Sequence, residues 1–376
     1  MMLAMVTTLI LTIFLGPRLI KKLYELRTGQ SIRVEDCPML AELHQKKKDT
    51  PTMGGILILS SMLIALFIWM DLRSSYTLLL FVVTIWLGLV GGYDDYFKLK
   101  YKNSKGLAPK KKLFFQMLLA SLVALYLFVP SVTESLHRGK WFAPPVAKEQ
   151  IVQKAVVKTL ALSTEEYAGR YYIPFYKEPL FILSGSLLVL GFFFTLFVLV
   201  GTSNAVNLTD GLDGLAAGCL VMVSLVFAVF AFLSSNIEIA RYLNILYIEN
   251  SGEIAIYLCA LAGACLGFLW YNGYPAQVFM GDTGSLALGG VVGLSAILLR
   301  RELLLALVGG VFVVEALSVI IQVASYKFRN RKRVFLCAPI HHHFEYKGWP
   351  ETKVVLRFWI VTLMLAILGM ISLKFQ

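Results

Sequence analysis

Residues 180–233 read LFILSGSLLVLGFFFTLFVLVGTSNAVNLTDGLDGLAAGCLVMVSLVFAVFAFL. Two apolar runs, at about 180–200 and 212–233, flank a short polar stretch that holds Asn204, Asn207, Asp210 and Asp213. Each run matches the roughly 20 residues an α-helix needs to cross the hydrocarbon core of a bilayer. Working outward, runs of similar character lie at about 1–20, 54–70, 76–92, 112–129, 252–270, 284–299, 303–323 and 356–373, which makes about ten spans. The chain is 58% hydrophobic and 15% charged over 376 residues, where an ordinary soluble domain is about 45–50% apolar. Its mean hydropathy is +0.72. A soluble multidomain protein of this composition would leave much of its apolar surface without a core. The sequence therefore predicts an all-α integral membrane protein of about ten transmembrane helices, with residues 1–376 forming one polytopic domain.

The basic residues set the orientation. Arg18, Lys21, Lys22, Arg27, Arg33, Lys46, Lys47 and Lys48 follow the first span. Lys98, Lys100, Lys102, Lys105, Lys110, Lys111 and Lys112 follow the third, and Lys327, Arg329, Arg331, Lys332, Arg333, Lys347 and Lys353 follow the ninth. Short loops of the other parity carry only Arg73, Arg241, Arg300 and Arg301. Lysine and arginine concentrate on the cytoplasmic side of membrane proteins, which places both termini outside. Residues 130–179 then form an extended external loop, where Pro130, Pro144, Pro145, Pro174 and a mixed polar stretch suit a short helix or hairpin. Its own basic residues weigh little, because long loops translocate regardless of charge. The net charge of +12 is thus read as attraction to anionic lipid and substrate, not to nucleic acid. The five cysteines include no CxxC pair, so neither a disulfide framework nor a zinc site is indicated. The first run leads into Gly16, Pro17 and Arg18 and is read as a retained span rather than a cleaved signal.

Five polar motifs fall in the loops assigned to the cytoplasm, although lysine and arginine alone fixed that assignment. In GGYDD at 91–95, Asp94 and Asp95 close an apolar span. Carboxylates at membrane depth are costly and usually functional. Neighbours on a helix point about 100° apart, so the two acids are expected to do different jobs. The plain alternative is a water-facing pair balanced by Lys98. In NAVNLTDGLDG at 204–214, Asn204, Asn207, Asp210 and Asp213 recur every third residue and make one polar stripe if helical; the glycines point to a turn in its later part. An EF-hand is excluded by the spacing and the missing closing Glu. Asn272 precedes FMGDTGS at 279–285, which opens the eighth span. A helix start rich in Thr and Ser favours phosphate, and Asp282 is either a cap or an oxygen ligand for Mg²⁺. Phe279 is of the right type to stack on a base, though packing is the commoner use. His341, His342 and His343 are three of the five histidines, and anionic diphosphate suits them better than a shared metal. Lys47, in the KKKDTPTMGG stretch before the second span, attracts phosphate or merely lipid head groups. Ser104, Lys105 and Gly106 give a weaker signal. Glu315 lies within the ninth span with no partner legible in the sequence.

Taken together these stretches resemble the polyprenyl-phosphate N-acetylhexosamine-1-phosphate transferase superfamily. The residues that carry the resemblance are TPTMGG at 50–55, GGYDD at 91–95, SKGL at 104–107, NAVNLTDGLDGL at 204–215, FMGDTGSLALGG at 279–290 and PIHHHFE at 339–345. Each is weak alone; six in order, across nearly the whole chain, are specific. PIHHHFE points to the phospho-N-acetylmuramoyl-pentapeptide branch rather than the GlcNAc-phosphate branches. The resemblance implies a ten-helix bundle in the bacterial inner membrane with a cytoplasmic site. It implies transfer of phospho-MurNAc-pentapeptide from UDP-MurNAc-pentapeptide to undecaprenyl phosphate, giving lipid I and UMP. By the same resemblance Asp94, Asp95 and Asp282 match the family's essential acids, with Asp282 as the Mg²⁺ ligand. Asn204, Asp210, Asp213, Asn272 and Phe279 match the family's nucleotide-sugar region and His341, His342 and His343 its histidine loop; from the residues themselves Lys47 and Asn207 are expected to join the substrate-binding set. A homodimer is a family habit. Two departures stand out: Met1 falls almost inside the first span, which predicts a short one, and the segment 130–179 is longer than usual. Two rival readings remain from the residues alone. One is a GlcNAc-1-phosphate transferase of the same superfamily. The other is an ion- or proton-coupled transporter using Asp94, Asp282 and Glu315, which the absence of two matching halves weakens.

Overall fold

The structure is a computed structural model that describes residues 1–26, 47, 50–101, 106–149, 160–329 and 331–374 in full, and residues 150–153 and 156–159 by backbone. The apolar runs become helices: α1 (Met2–Glu25), α2 (Gly55–Trp69), α3 (Ser75–Lys100), α4 (Pro109–Phe128), α5 (Pro130–Leu136), α6 (Thr164–Ala168), α7 (Leu188–Thr209), α8 (Leu215–Ser234), α9 (Ile237–Tyr242), α10 (Gly252–Asn272), α11 (Gly281–Leu298), α12 (Glu302–Val308), α13 (Gly310–Phe328), α14 (Ile340–Tyr346) and α15 (Glu351–Ile371). Among the described residues, nine helices are long and apolar enough to cross a membrane. The tenth expected span, α2, has 15 residues. At 1.5 Å per residue that is shorter than the roughly 30 Å hydrocarbon core.

Four boundaries depart from the sequence reading, and the first is the end of α3, which runs past residue 92 through Asp94 and Asp95 to Lys100. The first helix is not short: it runs 24 residues. The fifth span begins at Leu188, not near 180, because Phe181–Ile182 pairs as a strand with Arg170–Tyr171. It then continues through Asn204 and Asn207 to Thr209. The ninth run is broken at Gly309 into α12 and α13.

Hydrogen bonds sort the connections onto two ends of the bundle. At one end Lys47, the turn after α7, the link between α10 and α11, and the start of α15 are joined: Lys47 and Ala276 both reach Asp213, and Lys47 also reaches Glu351. At the other end Asp71, before α3, donates to Glu253 of α10, and Trp69 donates to Thr7 near the start of α1. The segment 130–179 packs at this second end. Its strands β1 (Ala147–Gln153) and β2 (Val156–Ala161) form the antiparallel hairpin the sequence suggested, extended by a short strand at Tyr247–Ile248. Helix α6 carries a capping box between Ser163 and Glu166. Beside it the Tyr167 hydroxyl reaches the Leu298 carbonyl and Arg300 donates to the Ala168 carbonyl.

The most deeply enclosed span is α11, which is buried at every position from Thr283 to Leu298. Helices approach closely where small residues face each other, which is how apolar helices pack in lipid. A Cβ on Gly91 of α3 would sit 2.1 Å from the Asp282 carbonyl oxygen, and one on Gly55 of α2 would sit 2.2 Å from the Gly284 nitrogen. Both crossings fall at the first turn of α11, so packing fixes the backbone that bears Asp282.

Candidate active site

Three acids meet where α3 crosses the start of α11. One oxygen from each of Asp94, Asp95 and Asp282 lies within 4.8 Å of the others. Two lysines join them. Lys98, one turn beyond Asp94, places Nζ 2.7 Å from Asp94 Oδ2 and 2.9 Å from Asp282 Oδ2. Lys112, in the first turn of α4, lies 2.5 Å from Asp282 Oδ2 and 3.8 Å from Asp94 Oδ2. Asn207 of α7 donates to Asp282 Oδ1 at 2.7 Å and to Ser285 Oγ at 2.8 Å. Asp282 thus collects two cations and one amide from three other helices.

The two adjacent aspartates are used differently, as the 100° step between neighbours requires. Asp95 is buried and caps the start of α11. Its Oδ1 accepts the Asp282 N–H, and its Oδ2 accepts the Thr283 N–H at 2.9 Å and the Thr283 hydroxyl at 2.7 Å. A carboxylate at orphaned helix N–H groups is a favourable arrangement. Asp94 instead meets Lys98, and its Oδ1 accepts the Leu107 N–H at 2.7 Å. Of the SKGL motif, Ser104 and Lys105 lie outside the described residues. Gly106 has φ +57 and a Cβ there would be 2.7 Å from Asp94 Oδ1, so the loop lies tight against the acid.

These donors suit a hard divalent cation. The atoms offered are carboxylate oxygens, the ligands Mg²⁺ takes, with no thiolate or imidazole among them. The lysine ammonium groups already seated between Asp94 and Asp282 show that positive charge is accommodated there. Three acids and two lysines leave a formal charge of −1, which favours a further cation.

A second cluster lies toward α15. Lys47 Nζ is 2.6 Å from both Asp213 Oδ1 and Glu351 Oε1, with the rings of Tyr274 and Phe279 at 5.9 and 6.0 Å. Glu351 also accepts the Asp213 N–H at 2.8 Å. Asn272 accepts the Gly214 N–H through its side-chain oxygen and donates to the Val278 carbonyl. Phe279 is tied by its backbone to Pro51 and Gly54, so TPTMGG and FMG run side by side. Asp210 closes α7. Burial first, then the negative charges of Asp282 and Asp95, push its carboxyl up to about 8.

The expected polar stripe is split by this geometry. Asn204 donates to Gln116 Oε1 of α4, a helix-to-helix contact, while Asn207 serves Asp282. Asp210 and Asp213 belong to the turn, not to the helix, as the glycines suggested. The three histidines begin a short helix and go three ways: His341 Nδ1 to Glu315 at 3.0 Å, His342 Nδ1 to Glu345 at 2.7 Å, and His343 Nδ1 to the Leu336 N–H. His341 and Glu315 are both fully buried. Sequence reading had Lys98 and Lys112 only as charges balancing acids or lipid; the i,i+4 spacing of Asp94 and Lys98 was the available signal. Glu351 and Gln116 carried none.

Known proteins resemble this chain over its whole length. The Glycosyl transferase family 4 model matches residues 77–300, which spans α3 to the end of α11 and so includes every acid of the first cluster. A phospho-N-acetylmuramoyl-pentapeptide-transferase signature matches residues 47–59, from Lys47 into α2. A phospho-N-acetylmuramoyl-pentapeptide-transferase of Protochlamydia amoebophila is 64% identical, with 100% of this chain and 93% of that protein covered. Proteins of the same name from Thermodesulfovibrio yellowstonii and Desulfotalea psychrophila are each 45% identical, covering 100% and 99% of this chain and 93% and 92% of their own lengths. With identity sustained end to end and both clusters inside the matched residues, the chain belongs to the phospho-N-acetylmuramoyl-pentapeptide-transferase family.

Proposed function

We propose that this protein transfers phospho-MurNAc-pentapeptide from UDP-MurNAc-pentapeptide to undecaprenyl phosphate, giving lipid I and UMP, at the cytoplasmic face of the bacterial inner membrane. The observation that carries the reading is Asp282, a carboxylate on which Lys98, Lys112 and Asn207 converge at the end of a membrane bundle. The reaction joins an acceptor phosphate oxygen to the sugar-bearing phosphorus and breaks the diphosphate, so negative charge accumulates on UMP. Mg²⁺ held by Asp282 would polarise that diphosphate. Lys98 and Lys112 neutralise the same oxygens once released from the carboxylates. Asp94 takes the acceptor's proton or orients its dianion, and Asp95 keeps Asp282 in place through the start of α11. Lys47, Asn204, Asn207, Asp210, Asp213, Asn272 and Phe279 belong to the donor side, with Phe279 against the base; His342 and His343 complete it, and buried His341 supports it from behind. A homodimer belongs to the same reading.

The rival donor is UDP-GlcNAc, and the signature at residues 47–59 favours the muramoyl-pentapeptide. A transporter would need acids strung through the bundle; Asp282 instead sits in the first turn of its helix, and Asp94 and Asp95 within the last two turns of theirs. The test is UMP release by the purified protein with polyprenyl phosphate and either donor, with Mg²⁺ removed by chelation and then restored. Release should need Mg²⁺ and UDP-MurNAc-pentapeptide. Equal use of UDP-GlcNAc, or turnover that survives chelation, would overturn the reading.

A further inference from the structure

Glu315 has no place in the chemistry above. Placed within an apolar span by sequence, it stands in the structure level with the histidine helix and the turn after α7. Its Oε2 lies 3.0 Å from His341 Nδ1, and both side chains are 0% exposed. A buried carboxylate is expensive unless paired, and among the described residues His341 is its hydrogen-bond partner. On the far side of the imidazole, Nε2 lies against Gly211: a Cβ there would be 2.4 Å from it. Neither Nε2 nor Glu315 Oε1 has a hydrogen-bond partner among the described residues. The ring is therefore a wedge between α13 and the turn that carries Asp210 and Asp213. His341 itself is shut off from any ligand in this arrangement, whereas His342 and His343 keep part of their surface.

We infer that Glu315 is a positioning residue: by accepting the Nδ1 proton of His341 it fixes the ring and its tautomer, and so holds the turn that presents Asp210 and Asp213 to the donor. A carboxylate behind a histidine does this elsewhere, setting ring orientation and leaving the other nitrogen defined. The absence of a side chain at Gly211 follows from the same contact, since any Cβ would displace the ring. This inference rests on the reading that the 210–213 turn faces the nucleotide-sugar.

The experiment compares Glu315→Leu, Glu315→Gln and the unaltered full-length protein by steady-state kinetics, varying donor and acceptor separately. Leu removes the acceptor of the Nδ1 proton; Gln keeps an oxygen there. Glu315→Leu should raise the KM for UDP-MurNAc-pentapeptide about tenfold, the scale on which such outer partners act. It should leave the KM for undecaprenyl phosphate within about twofold, and Glu315→Gln should recover most of the loss. A merely structural role would lower the active fraction, and with it kcat, without dividing the two substrates. A donor KM unchanged in Glu315→Leu, or a Gln variant no better than Leu, would overturn the inference. If Glu315→Leu does not accumulate as folded protein, Gly211→Ala carries the same expectation, because its methyl drives the ring from the turn. Failure of the unaltered protein to turn over the donor at all would count against the proposed reaction instead.

Discussion

At Asp95 the carboxylate meets three donors from the start of α11, and at Asp94, one residue earlier, it meets a lysine and a loop N–H. That division gives separate expectations. Asp95→Ala leaves the Thr283 and Asp282 N–H groups without their cap, so thermal unfolding in detergent should show a loss of about 1–2 kcal/mol together with lost turnover. Asp282→Asn keeps a similar shape and should melt close to the unaltered protein, yet lose at least about a hundredfold in Mg²⁺-dependent UMP release. Near-normal activity of that variant at limiting Mg²⁺ would remove Asp282 from the chemistry. Asp94→Asn tests the base. A phosphate monoester has its second ionisation near 6, so below that pH the acceptor keeps a proton that must be removed, and above it solvent has already removed it. Turnover of Asp94→Asn should fall most at about pH 6 and recover in part at about pH 9. A variant equally inactive at both, or a phospho-sugar bound to Asp94 in the unaltered enzyme, would point to a covalent route. The sequence showed that two neighbouring acids must differ. It did not show which one caps a helix, because the Asp282 N–H that is capped lies 187 residues later.

The helix crossings govern how well these residues hold their positions. Gly91 lies against Asp282 and Thr283, with no room for a methyl group. Gly91→Ala removes no charge and no hydrogen bond, yet it must push α3 and α11 apart at the three clustered acids. Overpacking of this kind costs about 1–3 kcal/mol. We expect a lower melting temperature and a loss of activity of about tenfold or more, since a misplacement of about 1 Å can cost about a hundredfold. Unchanged kcat in Gly91→Ala would mean that the crossing tolerates separation. The element boundaries followed the apolar runs well where a run was bounded by polar residues, as for α8 and α10. They shifted where apolar residues extended past the helix: residues 181–182 were taken by a strand, and the run at 303–323 broke at Gly309. Hydropathy measures suitability for lipid, and a strand or a break in the helix can satisfy it equally.

Over the whole molecule, the acid cluster and the segment 130–179 lie at opposite ends of the bundle. If the basic loops face the cytoplasm, a cysteine at Lys110 or Lys347 should react with an impermeant thiol reagent only from the cytoplasmic side, and one at Lys140 or Lys177 only from outside. All four positions are exposed. The background would carry Cys37→Ser, since Cys219, Cys259, Cys265 and Cys337 are buried. Cytoplasmic labelling at Lys140 would overturn the span count. The sequence by itself determined the membrane class, the approximate spans and the residue types at the site. Apolar length, basic loops and the acid, amide and histidine motifs are local properties, readable without a partner. Only the tertiary structure decided who meets whom. Lys47 pairs with Asp213 across 166 residues and with Glu351 across 304, and Asn207 reaches Asp282 across 75. Glu315 finds His341 because the chain after α13 turns back and lowers the histidine helix to its level. Such pairings depend on helix order and tilt within the bundle. A run of apolar residues fixes that a helix crosses the membrane, but the close approaches at small residues fix which helix stands beside it.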